Sequence, residues 1–138
     1  MKRKILSFIY NSEIKKFLIL KTNPKIKPGP IRWDTVIGAV NSGEVLDTAA
    51  CREIKEETNL SVKKIISLNW GRQRFWNGEV CDESFYFALV DVGAIKLNKE
   101  HTKFRWLNFK DFIYELNWPD NKSDLTKRLK IILDNLES

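Results

Sequence analysis

The chain has 138 residues, enough for one compact domain over 1–138 and no more. Hydrophobic residues make up 43% and charged residues 30%, with only 6 Gly and 4 Pro, which excludes collagen-like, low-complexity and disordered chains. An excess of 24 basic over 18 acidic residues gives a net charge of +6, which attracts phosphate, whether in nucleic acid or in small nucleotides.

In chain order, the basic opening resembles a secretory leader, but Asn11, Ser12 and Glu13 interrupt the apolar run and no small-residue cleavage site follows. No other apolar run approaches the roughly 20 residues of a membrane span, so a cytoplasmic protein with no membrane partner is expected. Residues 5–10 and 16–21 alternate around that polar turn and predict a β-hairpin. Residues 22–30 carry three prolines and form a stiff loop, rimmed by Lys21, Lys25 and Lys27. A strand is predicted over 31–40, a turn at Asn41-Ser42-Gly43, and a helix over 47–58 with Asp47 as its N-cap. Residues 62–68 read as a strand, 70–81 as a polar, aromatic and basic loop or hairpin, and 84–92 as the most apolar and central strand. A short extended stretch at 104–107 and a brief helix at 109–116 follow. Leu125, Leu129, Ile132, Leu133 and Leu136 then repeat at helical spacing, giving an amphipathic helix whose stripe covers a sheet face. The expected class is α/β (α+β), a mixed sheet with helices on its faces.

Two cysteines, Cys51 and Cys81, and one histidine, His101, are too few for a disulfide framework or a Cys/His zinc site, so any metal must be held by oxygen. Glu53, Glu56 and Glu57 fall at i, i+3 and i+4 and share one sector of the predicted helix. Three such carboxylates repel one another; Mg²⁺ or Mn²⁺ would relieve this, and a solvated acidic face is the alternative. Gly38 and Gly43 have the spacing of a phosphate-binding P-loop, but Glu44 and Val45 stand where Lys and Ser/Thr are needed, which excludes that cradle. Glu44 can instead fold back onto Arg52 and fix the carboxylates in place, or form a purely structural ion pair.

Gly38, Glu44, Arg52, Glu53, Ile54, Glu56, Glu57, Asn59 and Leu60 together resemble the Nudix box, G-x5-E-x7-R-E-U-x-E-E-x-G-U with U aliphatic. Of these nine only Asn59 departs, replacing the final glycine. That position closes the helix and calls for positive φ, which Asn tolerates best among non-glycine residues. A softer departure is Ile37 just before Gly38, where many members of the family carry another glycine. The resemblance implies a Nudix-type α/β/α sandwich that hydrolyses a nucleoside diphosphate linked to another group with Mg²⁺ or Mn²⁺. It makes Glu53 and Glu57 the main metal ligands, with Glu56 close by, Arg52 and Glu44 orienting them, and the main-chain carbonyl of Ile37 a further ligand. The run Glu100-His101 to Trp106-Leu107, Trp118-Pro119 with Asn121, and the strand from Trp33 to Val40 resemble the dihydroneopterin triphosphate and dATP pyrophosphohydrolase group. That implies Glu100 as an extra metal ligand or general base, while His101 is expected to be a hydrogen-bonded structural residue.

Arg32 and Trp33 before the box, and Arg72, Arg74, Phe75 and Trp76 in the later loop, pair flat rings with cations and could hold a heterocycle and its phosphates. The expected reaction takes a nucleoside or dihydroneopterin triphosphate to its monophosphate and pyrophosphate. The alternatives are a dinucleoside polyphosphate or RNA 5′-end pyrophosphohydrolase, and a nucleotide-binding module that does not cleave. Nucleic acid is not the expected partner, and the sequence leaves a homodimer open.

Overall fold

The computed structural model describes residues 1–76 and 78–136, with Trp76 by its backbone alone. Its first hairpin joins β1 (Lys2–Asn11) to β2 (Lys16–Thr22) in antiparallel register, Tyr10 opposite Phe17, with the Asn11 side chain accepting from Glu13 N–H in the turn. The two strands pair only at the turn end and then splay. The segment expected as one strand over 31–40 fills that wedge and is therefore two strands. β3 (Trp33–Asp34) pairs with β2, and β4 (Val36–Ala39) pairs with β1, Leu6 lying opposite Ile37. Thr35 marks the crossing, its hydroxyl donating to the Ser7 carbonyl.

The helix α1 (Leu46–Thr58) begins one residue earlier than expected, and its N-cap is Val45, which supplies no side-chain bond. Asp47 is not the cap; it lies in the first turn, where a negative charge opposes the positive end of the helix dipole. At the other end Asn59 adopts φ 68°, and its N–H bonds the Lys55 carbonyl, the left-handed closure that the missing glycine would have provided.

Next come β5 (Val62–Trp76) and β6 (Glu79–Val90), one long antiparallel hairpin with a bulge between Ser67 and Gly71. The described part of the basic, aromatic stretch, 70–76 and 78–81, is thus the distal half of that hairpin. Gly71 is required there, because a Cβ would strike the Glu83 carbonyl on the partner strand. β6 runs parallel to β1, and β7 (His101–Leu107) lines the other side of β2. The sheet order is β3-β2-β1-β6-β5, with β4 also on β1 and β7 on β2. The chain ends in α2 (Phe109–Glu115), capped by the Asn108 side chain, and α3 (Ser123–Leu136).

Period-two alternation divides the apolar residues between the two faces of this sheet. Phe8, Phe17, Ile19, Phe85 and Phe87 meet Phe112, Leu125 and Leu129 of α2 and α3. Ile9, Leu18, Leu20, Ala88 and Val90 cover Ile54 of α1, and Ile5 and Tyr86 cover Ala49 and Ala50. The result is a mixed sheet between helices, as expected. No helix among the described residues is long and apolar enough to cross a membrane.

Candidate active site

Burial of Ala49, Ala50 and Ile54 fixes the rotation of α1, and that rotation decides where its carboxylates point. Arg52 is the hub. Its Nε and Nη2 donate to the two oxygens of Glu44 at 2.8 and 2.9 Å, a bidentate pair, and Nη2 also donates to the Ala39 carbonyl at 2.9 Å. Its Nη1 donates to Glu53 at 2.8 Å and to Glu56 at 3.2 Å. Glu44 also accepts from the Asn41 N–H, and the Arg52 bonds hold its carboxyl down to about 2. The loop therefore folds back on the helix as the spacing of Glu44 and Arg52 suggested.

Gly38 accounts for the close approach of β4 to this helix. A Cβ there would overlap the Glu53 side chain, so the glycine leaves the room that the Glu53 carboxylate occupies. The side chain of the preceding Ile37 packs towards the α2–α3 core.

Glu57 is only 1% exposed, and neither of its oxygens has a hydrogen-bond donor. Burial, then the charge of Glu100, raises its pKa, with the Glu53 carboxyl adding to the rise and Lys27 opposing it. The His101 ring stands 3.7 Å from Glu57 and is buried with neither nitrogen bonded. The expectation of a hydrogen-bonded structural histidine is thus corrected: His101 is a wall of the Glu57 pocket, and burial, with Lys27 nearby, pushes its pKa down to about 4. Lys27, read from the sequence only as part of a basic rim, is the cation whose field reaches Glu57, His101 and Asp34. The loop carrying it is tied down by Asn23, which donates from its side chain to the Lys99 carbonyl and from its N–H to the Glu100 carbonyl. Glu100 itself is half-buried, held by the Asn98 side chain.

A hard divalent cation fits this chemistry, because two donor-less buried oxygens beside a second carboxylate lack only positive charge. Among the described residues no three acidic, histidine or cysteine side chains converge on a single point; Glu56 is turned to Arg52.

The residues expected to hold substrate have partners of their own. Arg32 ion-pairs with Asp34 at 3.2 Å, and Trp33 packs on the α2–α3 core beneath Arg105. Arg72 donates to the buried Glu83 at 2.6 Å and lies 4.4 Å from the Trp118 ring centre, while Arg74 reaches Glu83 only at 4.0 Å. None of these three arginines forms an ion pair with Glu53, Glu56 or Glu57 among the described residues. The Trp76 side chain lies outside the described residues. A cleft of about 420 Å³ opens between the β5–β6 hairpin and the start of α1, and its lining includes none of the box carboxylates.

The NUDIX domain family model matches residues 2–129. The chain belongs to the Nudix family. It is accordingly a Nudix hydrolase, of a family that acts on nucleoside diphosphate-linked compounds and generally needs divalent metal ions. Among solved structures it is similar to a Caenorhabditis elegans Ap4A hydrolase in a binary complex, at 21% identity and TM-score 0.77, over 98% of this chain and 99% of that one. A MutT protein from Methanosarcina mazei matches at 18% and 0.74, over 99% and 96%. The Escherichia coli dihydroneopterin triphosphate pyrophosphohydrolase matches at 22% and 0.72, over 91% and 92%. At these identities the likeness is one of fold. No curated protein sequence matches the chain significantly.

Proposed function

We propose that this Nudix hydrolase is a metal-dependent pyrophosphohydrolase that converts a nucleoside or dihydroneopterin triphosphate to its monophosphate and pyrophosphate. The observation that carries the reading is the Glu57 carboxylate, buried without a donor beside Glu53 and within the field of Glu100. Glu53 and Glu57 would hold Mg²⁺ or Mn²⁺, with Glu56, Glu100 and the Ile37 carbonyl as the remaining candidate ligands. The bound ion supplies charge neutralisation on the phosphate oxygens and acidifies water.

The chain's own groups do the rest. Arg52 and Glu44 hold Glu53 against Gly38, so that its carboxylate is oriented before substrate arrives. His101 excludes water from the inner side of Glu57. Glu100, half-buried and near enough for its charge to act on Glu57, takes the proton of the attacking water. Arg32, Trp33, Arg72, Arg74 and Trp76 remain the candidates for holding the heterocycle and phosphates, although Arg32 and Arg72 must first loosen their pairs with Asp34 and Glu83.

The test is a substrate screen with product analysis over nucleoside triphosphates, dihydroneopterin triphosphate, dinucleoside polyphosphates and sugar nucleotides. Efficient cleavage of dATP or dihydroneopterin triphosphate is expected. Cleavage confined to sugar nucleotides or dinucleoside polyphosphates overturns the choice of substrate, and no cleavage of any leaves a binding module.

A further inference from the structure

Beyond the carboxylate site, the ladder between β2 and β7 places like charges side by side. Lys21 is the direct partner of Lys103, and on its other side it is the direct partner of Trp33 in β3. Directly opposed residues project to one face, and Phe17 and Ile19 assign that face to the α2–α3 side. Arg105, opposite Ile19, belongs to the same face, and its guanidinium lies 5.6 Å from the centre of the Trp33 ring. Three cations thus share this corner of the sheet face, Arg105 beside the indole and the two lysines paired across β2 and β7. Lys103 and Arg105 are exposed and Lys21 is half-buried, and none of the three forms an ion pair among the described residues. A directly opposed like-charge pair weakens a ladder, so the sheet carries a local cost here that an anion would remove.

We propose that Lys21, Lys103 and Arg105 form an accessory phosphate-binding site on the sheet face opposite the box carboxylates. Phosphate is the fitting anion, since it has several oxygens for three donors and enough charge to balance two or three cations. The site abuts the catalytic one along the strands: Lys21 precedes Thr22, the partner of His101, which in turn walls Glu57. Its phosphate could come from the far end of a long substrate or from a separate polyphosphate. That distinction does not depend on which substrate the hydrolase prefers.

The test uses inorganic tripolyphosphate as probe, at low salt and without divalent metal, so that it reads binding alone. The variant Lys21→Gln/Lys103→Gln should bind tripolyphosphate about tenfold more weakly than wild type, the scale expected for two solvent-accessible charge contacts. A control removing two charges elsewhere, Lys2→Gln/Lys130→Gln, should bind as wild type does. The apo form of the first variant should also melt no lower than wild type, because the repulsion has gone. Equal affinity in wild type and the Lys21/Lys103 variant, or an equal loss in the control, overturns the proposal. If the KM of the hydrolysed nucleotide rises in parallel with kcat unchanged, the phosphate belongs to the substrate; if KM is unmoved while tripolyphosphate binding is lost, it belongs to a separate ligand.

Discussion

Glu57 illustrates how one residue can be costly to the fold and valuable to the reaction. A carboxyl 1% exposed with no donor is costly to ionise, hence its raised pKa, and as an anion it makes sense only as a partner for positive charge. Glu57→Gln should therefore leave the fold intact, its amide able to donate to Glu53, while kcat falls by at least about a hundredfold at saturating Mg²⁺. Circular dichroism together with steady-state kinetics checks both halves. Gly38→Ala makes a complementary test: the added methyl displaces the Glu53 carboxylate, so activity should fall well beyond any change in melting temperature. For Glu100, a role as base requires that Glu100→Gln lower kcat more than it raises KM, and an unchanged kcat would return it to a solvated loop. At this scale the box was legible because its residues lie close in sequence: helical spacing brings Arg52 to Glu56, and a short turn folds Glu44 back onto Arg52. His101 and Lys27 were not legible as neighbours of Glu57, since only the pairing of β2 with β7 and the docking of the 22–30 loop bring them there.

Among the elements, α1 shows which local signals decide and which do not. The positive φ at Asn59 follows from helix closure and was readable from the missing glycine. Asn59→Ala should destabilise by about 1 kcal/mol in chemical denaturation, the cost of a left-handed residue with a Cβ and no polar side chain, whereas Asn59→Gly should be neutral or slightly stabilising. The helix start was misjudged because Asp47 has a capping side chain, yet tertiary packing of Leu46 and Ala50 begins the helix at an uncapped Val45. The strand over 31–40 was read as one because its sequence is continuous; its division at Thr35 is set by the splaying of β1 from β2, which no local window contains. In α3 the stripe was enough to assign the buried face, and Leu129, fully buried there, should lose about 2–5 kcal/mol on Leu129→Ala.

Across the whole molecule, the sheet acts as a partition. α1 and its carboxylates occupy one face, with α2, α3 and the aromatic core on the other, and the basic loop 22–30 closes the open end where β2 meets β7. The net charge of +6 was visible in the composition, but the pairing of Lys21 with Lys103 depended on strand order. Arg72 was legible as a cation among aromatic rings, but its pairing with Glu83 and Trp118 depends on the long β5–β6 hairpin, which no local window contains. Because a ligand that binds only the folded state stabilises it, Mg²⁺ or Mn²⁺ should raise the melting temperature of the wild type and leave that of Glu57→Gln nearly unmoved.

The most direct measurement is the early product ratio from dATP and dihydroneopterin triphosphate with Mg²⁺, for wild type and Glu57→Gln, each with and without EDTA. Monophosphate and pyrophosphate should appear in equal amounts from the wild type with Mg²⁺, and both should be nearly lost with EDTA or in the variant. Orthophosphate as the sole early product, or turnover undiminished by EDTA or by Glu57→Gln, would contradict the account.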